Sequence, residues 1–291
     1  MKNAFSYIAS IIVSVLLVFC TIAAMGAGIA KVCINEKQFK CISDKYDLDE
    51  KVCSELEKYF KERSSASGIP ADVYMDAIDT EYLGGIIDRT IDNGFHRLRG
   101  GISSTELENE ALEESIDRFF NDYADSIGYQ KDDKFEQKLK GTKSGAYKII
   151  GEYCDVYKFG ALGSHGVLGK LSQVYTRIDL IMVGAAATIL VLLVMLLLLN
   201  LDAKSEAVYW TGVSALIAGI IGIVPCVYLL ATDYFSSFSI KQAQIYTAYT
   251  ETMKLLTNTF LYTSIGVAAL GAVLIIVYVI FKPKNKAQAA A

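Results

Sequence analysis

Four stretches of this 291-residue chain are long, apolar and free of charge: Ala4 to Ala30, Leu180 to Leu201, Ala207 to Thr232 and Leu255 to Phe281. A bilayer core about 30 Å thick holds no water to bond backbone N–H and C=O groups, so a crossing helix needs roughly 20 apolar residues. Each stretch meets that length. Surface helices of soluble proteins carry one apolar face and one charged face, and these stretches have no charged face at all. Composition agrees, with 53% apolar residues and only three prolines. The expectation is an all-α membrane protein with four transmembrane helices.

The first stretch also has the form of a secretory signal, with Lys2 ahead of an apolar run and small residues at Ala23, Ala24, Gly26 and Gly28. Its uncharged run exceeds the roughly 7 to 15 residues of a signal core. The pairs Ala23/Ala27 and Ala24/Gly28 also supply a small-residue face suited to close helix packing. It reads as an uncleaved first crossing.

Charge is confined to what lies between. Of 28 Lys and Arg, 21 fall between Lys31 and Arg177, and of 32 Asp and Glu, 27 do. The expected layout is a transmembrane helix at 4–30, a helical extracytoplasmic domain at 31–177, transmembrane helices at 178–201 and 207–232, an outer loop at 233–254, a transmembrane helix at 255–281, and a basic cytoplasmic tail at 282–291. The acidic excess of the large loop gives no electrostatic reason to expect nucleic acid. Membrane lipid is the partner implied by the spans.

Lysines on short loops set orientation. Lys2, Lys204, Lys282, Lys284 and Lys286 outnumber Lys241 and Lys254, which favours both termini in the cytoplasm and the large loop outside a plasma membrane. Lys31, Lys37, Lys40 and Arg177 oppose this. With that orientation no cytoplasmic segment is long enough for an enzyme domain.

The large loop reads as a helical bundle. Asp47 with Glu50 has the form of a capping box, and Leu48, Val52, Leu56, Tyr59 and Phe60 follow at helical spacing to about Arg63. Pro70 opens a short helix bearing Ile69, Val73 and Ala77. The stripe Leu83, Ile87, Ile91, Phe95 and Leu98 predicts a helix from about Thr80, stopped by Gly100 and Gly101. Ser103 with Glu106 restarts the pattern, and Leu107, Ala111, Ile116, Phe119, Phe120, Tyr123 and Ile127 form an apolar face that ends at Gly128. A last helix is expected from about Ala146 to Lys158. Ile245, Tyr249, Met253 and Leu256 imply that the fourth membrane helix starts early, near Ser239, and braces the large domain.

Chemistry-bearing motifs are sparse. Cys33, Cys41, Cys53 and Cys154 can form two disulfides in an oxidising compartment, with three possible pairings, or remain thiols. No close cysteine pair occurs and His96 and His165 are far apart, so no metal site is expected. Gly160, Gly163, Gly166 and Gly169 recur every third residue before the second membrane helix, as a hinge or a plain connector. Asp132 and Asp133 read as a solvated face, and Asp179 and Asn200 as helix-end groups reaching headgroups or water. Pro225 predicts a kink, and Ala215/Gly219 and Ala218/Gly222 a small-residue face on the third membrane helix. No zinc-protease, serine-hydrolase or phosphate-loop motif is present, so neither catalytic residues nor a cofactor are expected.

Four crossings with the large loop first resemble claudin-like proteins in outline only. Their tryptophan-containing signature with paired cysteines is missing, the sole tryptophan being Trp210 beside the third membrane helix. Connexin-like channels share the crossing number but have a longer cytoplasmic loop than the five residues from Asp202 to Glu206. The functional expectation is a non-enzymatic surface protein whose helical domain binds a protein or envelope ligand, with another membrane protein or a second copy as partner. The alternative is an oligomeric channel or transporter component.

Overall fold

A computed structural model describes residues 4–102 and 107–281, so the Ser103/Glu106 signal and the lysines at 2, 282, 284 and 286 lie outside the described residues. Among the described residues there are twelve α-helices and no strand: α1 (Ala4–Cys33), α2 (Glu36–Lys45), α3 (Leu48–Ser67), α4 (Asp72–Met75), α5 (Thr80–Leu98), α6 (Glu110–Ile127), α7 (Asp133–Cys154), α8 (Phe159–Ser164), α9 (Val167–Tyr175), α10 (Ile178–Leu199), α11 (Lys204–Ala231) and α12 (Ala243–Phe281). Helices α1, α10, α11 and α12 are long and apolar enough to cross a membrane, which suggests a membrane protein.

The chain divides into two compact units. One comprises residues 1–34, 177–237 and 253–291, and the other residues 35–176 with 238–252. The loop expected at 233–254 therefore contributes to both. Helix α12 begins twelve residues before the uncharged run at Leu255, and at about 1.5 Å per residue its 39 residues are on the order of 60 Å long.

In the first unit Val13 and Leu17 of α1 pack on Leu192 and Leu196 of α10 and Ala207 of α11, while Met25, Ile29 and Cys33 pack against Leu255, Leu256 and Phe260 of α12. Helix α11 presents small buried residues, Gly212, Ser214, Ala218, Gly219 and Gly222, and continues through Pro225. A Cβ on Gly219 would lie 2.6 Å from the backbone nitrogen of Ala268 and 2.7 Å from the Ser264 carbonyl, and one on Gly271 would lie 2.7 Å from the Gly212 carbonyl. The two helices thus meet backbone to backbone, along a seam that includes Gly212 beyond the pairs expected from sequence.

Hydrogen bonds stitch the same helices. The Asn200 amide, 2% exposed, donates to the Leu196 carbonyl at 2.8 Å and to Ser10 Oγ at 3.2 Å. Ser6 Oγ donates to the Leu199 carbonyl at 2.6 Å, and Ser214 Oγ lies 3.1 Å from the Ser14 carbonyl. Asn200 therefore does not reach outward, as expected from its place at a helix end. The chain turns there, and the inward amide satisfies the Leu196 carbonyl that the helix end would leave open. At that end Tyr7, Trp210, Tyr209 and Tyr278 form a ring-to-ring cluster. At the other, Asp179 stays outside and pairs with Lys31.

In the second unit α5 is the centre. Leu83, Ile86, Ile87, Ile91 and Phe95 are at most 1% exposed, and α5 packs against α3 and α7, whose Leu48, Val52, Leu56, Ile150 and Cys154 are buried too. Helix α2 was not anticipated. Asn35 caps it by accepting from Gln38 N–H at 3.1 Å, and Phe39 meets Phe95 edge-on at 5.0 Å. The capping box expected at Asp47 does not form, because Asp47 takes a left-handed φ of 50° in the tight turn out of α2 and its carboxylate makes no cap bond. Asp132, read as merely solvated, caps α7 through Phe135 N–H at 3.0 Å, so α7 starts well before Ala146 and ends at Cys154 instead of Lys158. Tyr249 of α12 donates to the Tyr157 carbonyl at 2.7 Å.

Gly219→Ala is expected to destabilise the protein by about 1–3 kcal/mol, since neither backbone can yield. Gly266→Ala, whose Cβ meets nothing within 4 Å, should leave stability unchanged or slightly raised. Thermal unfolding in mild detergent checks the pair.

Candidate functional site

Beside its core stripe, α5 carries Ile86, Thr90, Asn93, Gly94 and Arg97 at spacings of three and four, which places them along one line. Helix α7 does the same with Ser144, Tyr147, Lys148, Gly151 and Glu152, and Asp155 follows at its C-terminal cap. The two lines, with Leu107 and the start of α8, enclose a cleft of about 780 Å³. Glycine makes it possible. A Cβ on Gly94 would overlap the Phe159 ring, and one on Gly151 would touch Leu107 at 3.4 Å. Phe159, 7% exposed, seats on Gly94 and meets Phe95 edge-on at 5.7 Å, which floors the cleft with aromatic carbon.

Most of the charged groups have structural partners. Asp155 accepts from Phe159 N–H and Gly160 N–H, each at 2.8 Å, so both its oxygens hold the turn into α8. Lys158 sits in that turn with a left-handed φ of 54°, and its ammonium donates to the Glu152 carbonyl at 2.7 Å. Burial lowers the Lys158 pKa below the ordinary lysine value, against the pull of Asp155 and Glu152. Lys148 and Glu152 lie 3.9 Å apart and both are exposed, a pair worth little in stability. Tyr147 is taken up structurally: its hydroxyl accepts from Asn109 N–H at 2.9 Å and reaches Glu113 Oε1 at 3.0 Å, and burial pushes its pKa up. No described residue pairs a nucleophile with a base here, and no described group of three His, Cys, Asp or Glu could hold a metal ion. The arrangement can bind and orient.

A second surface lies on α6. Leu112, Ile116 and Ala124 are buried, while Phe119 and Phe120 are half-buried and Tyr123, Ile127 and neighbouring Tyr129 are 59, 57 and 43% exposed. The apolar face expected to be one stripe is two. The inner one is held by Ser115 Oγ donating to the Val73 carbonyl at 2.7 Å and by Lys143 on Asp117 at 2.8 Å. The outer one leaves Tyr123 and Ile127 exposed, with half-buried Phe119 stacked on Tyr123 at 6.4 Å.

The residues singled out from sequence are scattered relative to these surfaces. Cys33 ends α1 in the first unit, bonded to Thr259 Oγ1 at 3.5 Å, while Cys41 is exposed, Cys53 half-buried and Cys154 fully buried; all four are free thiols and the structure joins no pair of them. Gly160 and Gly163 lie in α8, Gly169 in α9, and only Gly166 between them takes a left-handed φ, 70°. Gly160 does reach the cleft, as the N–H that Asp155 accepts. Sequence reasoning missed Arg97, Lys148, Glu152, Asp155 and Lys158. For Arg97, Lys148 and Glu152 the signal is a polar line one position away from the apolar stripe of α5 and α7; Asp155 and Lys158 lie in the turn between α7 and α8 and carry no such periodic signal.

Comparison with known protein families, with characterised proteins and with solved structures finds no match. In the native protein a maleimide should label Cys41 readily and Cys154 only after unfolding, because burial both hides the Cys154 thiol and pushes up its pKa. Site-resolved mass spectrometry before and after denaturation reads this, and protection of Cys41 would point to a disulfide.

Proposed function

We propose that this chain is a multi-pass plasma-membrane protein that holds its helical unit outside the cytoplasm, with both termini inside, to bind another protein. The observation that carries the reading is the outer stripe of α6. A contiguous apolar patch left open on a helix is a surface that another protein can cover, and Tyr123 and Ile127, four residues apart, are exposed with half-buried Phe119 one turn before them. Helix α6 carries six acidic residues against one arginine, so a second copy of the same face would meet like charge. The fitting partner is a protein surface with an apolar centre and a basic rim.

The channel alternative finds less support. Thr188 and Thr263 donate back to carbonyls of their own helices, at 2.8 Å each, and Ser10, Ser214 and Ser264 are at most 1% exposed within the helix packing. Ser10 and Ser214 bond across helices, and these hydroxyls are turned into the packing or onto their own backbone instead of lining a water-filled lumen among the described residues.

Photo-crosslinkers placed at Tyr123 and Ile127 in intact cells are expected to capture one and the same protein, and one placed at Lys58 on α3 should not. Tyr123→Asp should weaken that complex about tenfold or more with stability unchanged, and added salt should weaken it further. A crosslinked species at twice the chain mass would replace the basic partner with a second copy. Equal capture from Lys58 would sink the proposal.

A further inference from the structure

Helix α9 carries an apolar face that the packing of its own unit leaves uncovered. Leu168, 5% exposed, and Tyr175, whose ring lies 6.0 Å from that of Phe95, hold the helix to α5. Beside them Val167, Leu171 and Val174, spaced four and three apart along one side, are 40, 46 and 58% exposed. Single apolar residues on a surface are ordinary, but three in line on a nine-residue helix make a face.

We propose that this face is an interfacial anchor: α9 lies in the headgroup layer of the bilayer that α10 enters, with Val167, Leu171 and Val174 against acyl chains and Lys170 and Arg177 on the phosphates of anionic lipid. This rests on the multi-pass reading above and is independent of the α6 surface and of which leaflet the unit meets.

Connectivity brings the bilayer to this helix. Val174 stands four residues before Ile178, the first residue of α10, so even a fully extended link keeps it within about 14 Å of that helix. Depth follows from length. The 22 residues of α10 rise about 33 Å and already fill a hydrocarbon core about 30 Å thick, which leaves α9 in the polar layer outside. Nearness to a membrane helix does not by itself expose apolar side chains: α2 starts three residues after α1 ends, buries Phe39 and Ile42, and turns Lys37, Asp44 and Lys45 outward.

Charge points to the same occupant. From Val156 to Ile178 the chain contains no Asp or Glu, although the large loop holds 27 of its 32 acidic residues. Lys170 and Arg177 lie in this stretch, both exposed, and neither forms an ion pair with another described residue; Asp179, the acid next in sequence, is paired with Lys31. Lys170 sits one turn before Val174 at the edge of the apolar face, where its alkyl stem lies along lipid while its ammonium reaches phosphate. An apolar face edged by basic residues is the pattern of helices that lie in a membrane interface, and anionic headgroups attract those residues.

The full-length protein in lipid nanodiscs tests this, with an environment-sensitive fluorescent amino acid placed singly at Val167, Leu171, Gln173 or Leu190 and a nitroxide-bearing lipid as quencher. With phosphatidylglycerol in the disc, labels at Val167 and Leu171 should emit further to the blue and be quenched, while one at Gln173, on the opposite side of α9 and exposed, stays water-like. Lys170→Gln and Arg177→Gln should each lower the ratio of docked to undocked label about fivefold, and exchanging phosphatidylglycerol for phosphatidylcholine should act in the same direction. Leu190, in the middle of α10, reports the crossing itself. Quenching at Leu190 with none at Leu171 would overturn the anchor and leave the multi-pass reading standing, whereas none at either would overturn both. A Leu171 label that is blue-shifted but unquenched by lipid would assign the face to a second copy, and quenching indifferent to lipid charge would remove Lys170 and Arg177 from the contact.

Discussion

Everything in the first unit depends on how closely α11 and α12 approach. Helices that share an apolar surround gain nothing from hiding leucine from it, so their association rests on van der Waals contact and on hydrogen bonds between them. Gly219 and Gly271 provide the contact, with no side chain between one backbone and the other. Asn200, Ser6 and Ser214 provide the hydrogen bonds, tying α1 to α10 and α11. Large aliphatic residues are turned the other way: Leu180, Val183, Leu190 and Leu198 of α10 are 60 to 71% exposed, a surface compatible with lipid.

The second unit obeys the opposite rule. Its helices are charged on one face, and burial of apolar area is the driving term. Helix α5 gains most, because its stripe is contacted on different sides by α2, α3, α7, α8 and α9. The cleft arises where this packing is interrupted. Gly94 lets Phe159 lie against α5, the turn at Asp155 to Lys158 follows from that seat, and the polar lines of α5 and α7 are left facing each other across open space.

These two surfaces divide the chemistry of the unit. The α6 stripe is apolar with an acidic surround; the cleft is lined by polar and charged groups of both signs over an aromatic floor. The buried thiol of Cys154 and the buried phenol of Tyr157, whose pKa is pushed up to about 12 by burial, lie in the packed interior and belong to neither. They are held neutral by the same desolvation that makes Lys158 give up its proton more easily.

The sequence by itself determined the helical class, the four apolar spans and the core stripe of α5, because each rests on local periodicity or on unbroken length that no distant contact can reverse. It also located the stop at Gly128 and the early start of α12. Tertiary structure alone decided the inward turn of Asn200, the left-handed backbone of Asp47 and Lys158, the division of the α6 face into a buried and an exposed stripe, and the cleft. The reason is common to all of them. Which side of a residue is covered, and whether its polar atoms meet partners close by or far along the chain, depends on contacts such as Ser10 with Asn200 or Gly94 with Phe159. Sequence spacing along one helix carries no record of what a second helix brings to it.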